Sequence, residues 1–213
     1  QEAKQTYWDN PDFMLKNYLP GMFLSYYLWP HHYKLIKYYQ SKICAYLRER
    51  SPERKSFCEV GIGTGMYSRQ TLLGLPNIRG IGYDISEYSL KFCHRNMSAY
   101  DLLGRYTVEN RDILENPPEP VDFLICQDVL EHLEIPDEFC NGLYKMVRPG
   151  GTAYITGAVT AAHSDHIYLY NNPDEVREHV EAAGFKVIDS IAIGADSYDK
   201  IQPVIACFYC EKP

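Results

Sequence analysis

Residues 59–65 read Glu-Val-Gly-Ile-Gly-Thr-Gly, with a glycine at every second position from Gly61 to Gly65. Glu59 closes a short strand before them, and a helix is predicted to begin near Met66. Glycine has no Cβ, so such a turn bends sharply and lets a ligand touch bare backbone. The unpaired N–H groups at the start of the helix favour a carboxylate or phosphate in the turn.

The spacing of the glycines separates two kinds of cofactor. Dinucleotide-binding folds place the third glycine three residues after the second, as G-x-G-x-x-G. Met66 occupies that position here, and Gly65 comes one residue early. The acid-x-Gly-x-Gly-x-Gly form resembles motif I of the class I S-adenosylmethionine-dependent methyltransferases. A nicotinamide-dependent oxidoreductase on a similar sheet is the alternative.

A carboxylate downstream of the glycines supports a nucleoside ligand. Asn77–Tyr83 is predicted as the second strand, and Asp84-Ile85 follows it. An acid about 20 residues beyond the glycines holds the ribose diol in nucleoside-binding α/β folds. An ionised Asp only accepts hydrogen bonds, which suits two hydroxyl donors. The other interpretation of Asp84 is an N-cap for the helix starting near Glu87, which Ser86 can provide instead.

A second acid follows the third predicted strand, Tyr106–Glu109. In the family that the chain resembles, an acid here accepts a hydrogen bond from the adenine amino group, and its neighbour packs on the ring. Asp112 and Ile113 match those positions. The other interpretation of Asp112 is a turn residue before the proline-rich loop that follows, a common role for Asp.

Two more motifs continue the resemblance. The apolar run Val121–Gln127 predicts a fourth strand, and residues 128–132 after it read Asp-Val-Leu-Glu-His. This is similar to motif IV of small-molecule methyltransferases, and the resemblance implies that Gln127 contacts the cofactor. Pro149-Gly150 predicts a type II turn before a fifth strand, Thr152–Ala158.

The order of the predicted elements defines the fold class. Strands and helices alternate in the middle of the chain, which predicts βαβ units and a parallel sheet with helices on both faces. By resemblance, the last two strands form an antiparallel hairpin. The expected fold is therefore α/β, a doubly wound seven-stranded sheet, mostly parallel with a C-terminal antiparallel hairpin. The predicted helices and final strands are Met66–Leu73, Glu87–Leu103, Pro136–Val147, Pro173–Ala183, Lys186–Ile193 and Val204–Cys210.

The chain is predicted to divide into an aromatic-rich N-terminal helical lid at residues 1–50 and an S-adenosylmethionine-binding catalytic domain at residues 51–213. Apolar residues at helical spacing predict an amphipathic helix over Tyr33–Arg50 that packs on the sheet. Prolines are expected to break Tyr7–His32 into short pieces. This stretch suits a lid over the cofactor, or an aromatic wrap of the sheet. Its candidate substrate-binding residues are Tyr26, Tyr27, His31 and His32.

The segment after the fifth strand is too long for a tight connection, and such loops are often functional. Methyl transfer from a sulfonium mainly requires alignment, and a protonated acceptor also needs a base. His163 and His166 are the first candidates for that base, because histidine titrates near neutrality. Tyr168 is a candidate substrate-binding residue. An anionic acceptor, such as a carboxylate or phosphonate oxygen, would need no base.

No metal is predicted. His163, Asp165 and His166 are ligand types, but adjacent loop residues rarely close a metal site. Metal-dependent catechol-type methyltransferases place an Asp-Asn pair after this strand, and Thr160-Ala161 stands there instead.

Bulk properties narrow the class of protein further. A net charge of −7 disfavours nucleic acid as the acceptor, and no apolar run approaches the roughly 18 residues of a membrane span. Seven scattered cysteines predict reduced thiols in a cytoplasmic protein. Cys207 and Cys210 would point to opposite faces of a strand, which argues against a redox or metal pair.

The sequence therefore predicts an enzyme that uses S-adenosylmethionine, releases S-adenosylhomocysteine, and methylates an oxygen or nitrogen of a small metabolite. A homodimer is compatible with this prediction. The alternatives are the nicotinamide-dependent oxidoreductase, a non-catalytic S-adenosylmethionine-binding partner protein, and a protein or nucleic-acid methyltransferase. The chain lacks the Asn/Asp-Pro-Pro-Tyr type motif of amino-group nucleic-acid enzymes after its fourth strand.

Overall fold

The computed structural model describes residues 10–50, 56–162, 165–195 and 202–213. The chain divides into two compact units, Gln1–Asp112 and Ile113–Pro213, and each is described by itself. Seven strands form one sheet in the order β3-β2-β1-β4-β5-β7-β6. The predicted fold class is confirmed.

Within residues 10–50, two helices precede the first strand. Helix α1 covers residues 11–28 and α2 covers residues 30–50, and each contains one π-helical turn. Trp29 separates them with an extended backbone (φ −94°, ψ 123°), directly before a proline, as the sequence predicted. The parts of the two helices, in chain order, are Pro11–Phe13, Met14–Tyr18, Leu19–Leu28, Pro30–Tyr38, Tyr39–Ile43 and Cys44–Arg50.

The expectation that prolines break Tyr7–His32 into short pieces is wrong for α1; residues before position 10 lie outside the described range. Pro11 stands in the first turn of α1, where a missing N–H costs nothing. Pro20 follows the π-helical turn, in which the Leu19 N–H bonds five residues back to the Met14 carbonyl. This wider turn accommodates the proline, so the helix continues through it.

The first unit contains three parallel strands, β1 (Ser56–Val60), β2 (Arg79–Asp84) and β3 (Tyr106–Asn110). Helices α3 (Met66–Gly74) and α4 (Glu87–Ser98) follow β1 and β2. The carboxyl ends of the three strands therefore meet at one edge, where ligands bind in open α/β sheets.

Helix α4 ends five residues earlier than predicted. After Ser98 the chain turns, and Asp101 adopts a left-handed conformation with φ 56°. The Leu102 N–H bonds back to the Met97 carbonyl at 3.0 Å, which closes the helix end.

The second unit holds β4 (Val121–Cys126), β5 (Val147–Val159), β6 (Lys186–Gly194) and β7 (Val204–Glu211). β4 and β5 are parallel, and β7 pairs antiparallel with both β5 and β6, which confirms the predicted hairpin. A 3₁₀ turn and two helices complete the unit: Leu130–His132, α5 (Pro136–Lys145) and α6 (Pro173–Ala182).

β5 begins five residues before the predicted Thr152. The expected turn is present, with Gly150 at φ 73°, but the Gly150 N–H donates to the Lys212 carbonyl at 2.8 Å. Strand pairing therefore extends through the turn.

Both units have apolar cores. All seven cysteines, including Cys207 and Cys210 on β7, are free and buried. Among the described helices, none combines the length and the apolar character that a membrane crossing needs.

Candidate functional site

The glycine turn between β1 and α3 has the backbone that its sequence predicts. Gly61, Gly63 and Gly65 have φ values of 68°, 47° and 71°, a region that residues with a Cβ rarely adopt. The Gly61 N–H bonds to the Tyr83 carbonyl of β2 at 2.9 Å, and the Gly65 N–H bonds to the Ile62 carbonyl at 2.7 Å. The turn is thus fixed to the tip of the neighbouring strand and ends at the first residue of a helix.

Glu59 is buried under this turn. Its Oε2 accepts the N–H of Ser68, the third residue of α3, at 2.9 Å. Burial raises the pKa of this carboxyl to about 7, although the hydrogen bonds from Ser68 oppose the shift. The observed role of Glu59 is therefore to hold the start of the helix, and its contact with a cofactor stays a prediction.

Asp84 joins the glycine turn to the tip of β2. Its Oδ2 accepts the Gly63 N–H at 3.2 Å, and its Oδ1 accepts the Ser86 N–H at 2.8 Å. Burial raises the pKa of Asp84, and backbone hydrogen bonds oppose that shift. Ser86 caps α4 through the Ser89 N–H, so capping does not occupy Asp84, as the sequence allowed. The Asp84 carboxylate thus contacts both the glycine turn, which is expected to bind the amino-acid tail, and the end of β2, which is expected to bind the nucleoside.

Two polar residues at the end of β3 hold the backbone of Asp84. Its carbonyl accepts the Arg111 N–H at 3.1 Å and the Asn110 Nδ2 at 3.2 Å. Asn110 also donates to the Ile85 carbonyl at 3.0 Å, and the Arg111 side chain is paired with Glu109. Sequence reasoning missed Asn110 and Arg111, although polar residues at the carboxyl end of a predicted strand are a usable signal.

The cofactor-binding candidate Ile85 and the two residues proposed to meet the adenine, Asp112 and Ile113, differ in exposure. Ile85 is an exposed apolar residue (65%) directly after Asp84, and Asp112 is exposed as well. Ile113 is buried in the second unit. Ile85 therefore offers an apolar surface to a ring at this strand edge, whereas ring packing by Ile113 stays a prediction without support from its burial.

A buried arginine ties α3 to α4 behind the glycine turn. Arg69 donates to the Asn96 Oδ1 at 2.9 Å, and the Asn96 Nδ2 donates to the Thr64 carbonyl at 2.8 Å. The guanidinium lies between the rings of Phe23 and Tyr100, 5.2 and 4.5 Å from their centroids. This network was not predicted, because no local sequence pattern marks a buried arginine.

Helix α1 lies against the glycine turn. The Met22 Sδ is 3.4 Å from the position that a Cβ on Gly63 would occupy. The Tyr27 hydroxyl accepts a hydrogen bond from the Arg69 Nη2, and the Tyr26 ring meets the Tyr67 ring edge-on at 6.0 Å. The N-terminal helices thus belong to the same compact unit as the turn.

His31 and His32 lie at the corner between α1 and α2. Ser25 donates its hydroxyl proton to the Met22 carbonyl, so the His32 Nδ1, 2.7 Å from the same hydroxyl oxygen, acts as the donor to it. Burial, with His31 beside it, lowers the pKa of His32 to about 4. His32 is therefore neutral near pH 7 and a weak base.

In the second unit, the residues after β4 have a strained backbone. Asp128 has φ 50°, a rare conformation for a residue with a side chain, and such strain often marks functional sites. The Thr156 hydroxyl donates to the Asp128 carboxylate at 2.7 Å, and the Gln127 amide donates to the same carboxylate. The Gln127 side chain is thus oriented by its neighbour, and its contact with a cofactor stays a prediction.

The loop after β5 meets the turn after β4. The Glu131 carbonyl accepts the Ile167 and Tyr168 N–H groups at 2.8 and 2.9 Å. The His166 ring lies edge-on to the His132 ring, with centroids 4.9 Å apart. His163 lies outside the described residues.

Three side chains converge where these segments meet. One ligand atom each from Glu131, His132 and His166 lies within 4.8 Å of the other two. Burial raises the pKa of Glu131 well above its usual value, with Asp128 as a further cause. Sequence reasoning selected neither Glu131 nor His132 as a site residue, although both belong to the Asp-Val-Leu-Glu-His motif.

Tyr168, the remaining candidate substrate residue, packs in an aromatic group. Its ring centroid is 4.7 Å from that of Tyr170 and 5.6 Å from that of His179. The side chain is half-buried, so part of its surface remains accessible.

Residues 58–153 match the family model described as "Methyltransferase domain". The chain is 28% identical over 116 residues to the ubiquinone biosynthesis O-methyltransferase of Pseudomonas savastanoi pv. phaseolicola; the match covers 54% of this chain and 48% of that protein. The chain thus spans about half the length of the curated relatives it matches.

Two solved structures show similar folds over nearly the whole chain. The N-methyltransferase NodS of Bradyrhizobium japonicum, in complex with S-adenosyl-L-homocysteine, gives a TM-score of 0.68 at 15% identity and covers 95% of this chain and 97% of its own. A SAM-dependent methyltransferase from Aquifex aeolicus gives a TM-score of 0.65 at 14% identity and covers 96% of this chain and 99% of its own. At these identities the likeness concerns the fold.

Proposed function

We propose that this chain transfers a methyl group from S-adenosylmethionine to a small metabolite, since residues 58–153 match a family model described as a methyltransferase domain. The observation that carries the proposal is the hydrogen bond between the Gly63 N–H and the Asp84 carboxylate at the start of α3. It joins an anion-binding turn to an acceptor-only side chain, and the cofactor needs both, for its amino-acid carboxylate and its ribose hydroxyls.

The donor set of the first unit fits this cofactor. Gly61, Gly63 and Gly65 would receive the amino-acid tail at the N-terminus of α3, and Asp84 would accept from the ribose. Asp112 is the proposed acceptor for the adenine amino group. The exposed Ile85 offers the apolar surface beside it. Asn110 and Arg111 donate hydrogen bonds to the Asp84 carbonyl, so the proposed ribose acceptor has a fixed position.

The reaction is proposed as an in-line displacement. A lone pair of the acceptor forms the new bond to the methyl carbon while the carbon–sulfur bond breaks, and its electron pair returns to sulfur. A neutral acceptor also releases a proton, and His166 is the proposed recipient. Its Nδ1 lies 2.6 Å from the Ala161 carbonyl, which can only accept, so the ring proton sits on Nδ1 and the lone pair on Nε2. His32 is a poorer base, because its pKa lies near 4.

Oxygen is the acceptor atom that the curated relatives favour, since they are named as O-methyltransferases. Nitrogen stays the second candidate. An anionic oxygen, such as a carboxylate or phosphonate, would need alignment alone, and the histidines and Tyr168 would then orient it by hydrogen bonds.

The N-terminal helices are proposed to act as a lid. Met22 and Tyr27 already contact the glycine turn and the arginine behind it, so α1 lies on the segment that would hold the amino-acid tail. Tyr26, Tyr27, His31 and His32 are the proposed substrate-side residues of this lid.

Calorimetric titration with S-adenosylhomocysteine tests the proposal. Wild-type protein should bind, and Asp84→Ala should weaken binding by about 1–3 kcal/mol, because two ribose donors lose their acceptor. Asp174→Ala is the matched control, since Asp174 is an exposed aspartate on α6. Equal affinity in wild type and Asp84→Ala would remove Asp84 from the site, and binding of NAD instead would overturn the proposed function.

A further inference from the structure

Glu131, His132 and His166 converge in space, and the proposed methyl transfer uses only His166 of the three. Glu131 and His132 belong to the 3₁₀ turn after β4, and His166 belongs to the loop after β5. One nitrogen of each histidine and one carboxylate oxygen lie within 4.8 Å of one another. Two imidazoles and one carboxylate are the protein ligand set of several catalytic zinc and non-haem iron sites.

The hydrogen bonds of the two histidines fix which nitrogen can bind a metal. The His132 Nδ1 lies 2.8 Å from the Asp165 carbonyl, and the His166 Nδ1 lies 2.6 Å from the Ala161 carbonyl. A carbonyl oxygen only accepts, so each Nδ1 carries the proton and each Nε2 carries the lone pair. Metal-binding histidines commonly donate their second ring N–H to a carbonyl in this way, which fixes the tautomer and the ring orientation.

Within the part of the chain that the structure describes, one oxygen of the Glu131 carboxylate is buried without a partner, although the carboxylate accepts backbone hydrogen bonds from Glu131 and Ala158. Glu131 is 1% exposed, and none of the described residues offers a hydrogen-bond partner to its Oε2. A buried carboxylate oxygen left unpaired costs stability, since it has lost water and gained nothing in return. A cation at the cluster would satisfy this oxygen.

We propose that Glu131, His132 and His166 bind a divalent transition-metal ion of the zinc type, with the carboxylate and the two Nε2 atoms as ligands. One ligand atom from each of the three residues lies within 4.8 Å of the other two. Ligands at about 2.0–2.2 Å from a tetrahedral ion lie about 3.5 Å from one another, so small side-chain rotations close the site. Three protein ligands leave one position open.

The surrounding polar groups complete the site. Asp165 was considered as a ligand in the sequence, but its carbonyl instead orients His132, and its carboxylate lies 3.9 Å from the same Nδ1. The Thr160-Ala161 pair contributes the Ala161 carbonyl that orients His166. The expectation of no metal rested on the adjacent loop residues and on the missing Asp-Asn pair, whereas the ligands proposed here come from two segments that meet in space.

The open position gives the ion a role that rests on the proposed function. A bound divalent ion is a Lewis acid that lowers the pKa of a coordinated hydroxyl. An oxygen of the acceptor at that position would be oriented and more easily deprotonated. With the ion bound, His166 serves as a ligand and not as the proton acceptor, and the proton of the coordinated hydroxyl passes to solvent.

Metal binding by the full chain tests the inference directly. Protein stripped with a chelator and then dialysed would be titrated with Zn²⁺ and with Co²⁺, following bound metal by elemental analysis and the visible absorption of Co²⁺. One ion per chain is expected, with little competition from Mg²⁺, because imidazole ligands favour zinc-like ions. Glu131→Gln and His166→Asn should each weaken binding by at least about 10–100-fold, the loss that even second-shell changes cause. His94→Asn removes an exposed imidazole on α4 and should bind as wild type does.

The outcomes separate this inference from the proposed function. Absence of stoichiometric binding to wild type, or equal binding by Glu131→Gln and His166→Asn, overturns the metal site. Glutamine has the shape of a protonated glutamate, so Glu131→Gln should fold, and His166→Asn provides a second reading. S-adenosylhomocysteine titrations in the presence of chelator report on the cofactor turn alone, so loss of that binding would reject the methyltransferase proposal and leave the metal result standing.

Discussion

Replacement of Gly65 by alanine should destabilise the protein strongly, because the added Cβ atom brings two separate free-energy costs. Gly65 has φ 71°, and a left-handed backbone costs a residue with a Cβ about 1–2 kcal/mol. The added Cβ would also lie 2.3 Å from the Cys93 Sγ and 3.0 Å from the Met97 Cε, both on α4. Overpacking of this kind costs about 1–3 kcal/mol. The sum is a loss of about 2–5 kcal/mol in the free energy of unfolding.

Urea denaturation followed by circular dichroism measures this loss, and thermal melting should fall by about 2–4 °C for each kcal/mol in a protein of this length. Gly21→Ala is the matched control, since Gly21 lies in helix α1 with no atom within 4 Å of the added Cβ. That change should be neutral or stabilising by about 0.5–1 kcal/mol. In the double variant with Cys93→Ala the collision with the Cys93 Sγ should disappear, while the close contact with the Met97 Cε and the backbone cost stay. Equal stability of Gly65→Ala and Gly21→Ala would refute the reasoning.

Two further variants probe the surroundings of the glycine turn. Glu59→Gln should flatten the pH dependence of stability. The pKa of Glu59 is raised from 4.5 to about 7, so between these values the wild-type fold holds a proton that the unfolded chain releases. The stability of the wild type therefore falls as pH rises through that window. The wild type should lose about 1.4 kcal/mol per pH unit there relative to the variant in urea titrations, and parallel curves would contradict this origin of the shift. Tyr27→Phe removes a hydrogen-bond acceptor from the buried Arg69 and should cost about 1–2 kcal/mol. It should also speed limited proteolysis within α1, and an unchanged cleavage rate would show that this bond does not hold the helix.

The parts of the fold that were predicted correctly depend on short stretches of chain. The glycine turn, the strand-end position of Asp84 and the Pro-Gly turn each follow from backbone preferences within a few residues. Helix α6 is a further case. Asn172 caps it by accepting the N–H groups of Asp174 and Glu175, and the helix begins at Pro173 as predicted. Local steric and capping rules are strong enough here that tertiary packing does not override them.

The errors have physical causes that single positions do not reveal. Pro20 does not break α1, because a π-helical turn directly before it changes the hydrogen-bond spacing. The Arg69 network was invisible, because its partners Asn96 and Tyr27 come from two other helices. A rule that treats proline as a breaker, or arginine as a surface residue, fails where distant residues supply the compensation.

The Asp-Val-Leu-Glu-His stretch shows how one motif can contain residues of different roles. Asp128 bonds to Thr156 within the sheet, whereas Glu131 and His132 turn toward the loop that carries His166. Sequence spacing alone gave no reason to separate them, since the partner of the motif lies more than thirty residues away along the chain. A carboxylate buried beside two imidazoles of fixed tautomer lowers stability unless something binds there. A metal ion at the proposed site would satisfy the buried Oε2 of Glu131 and use both imidazoles at once.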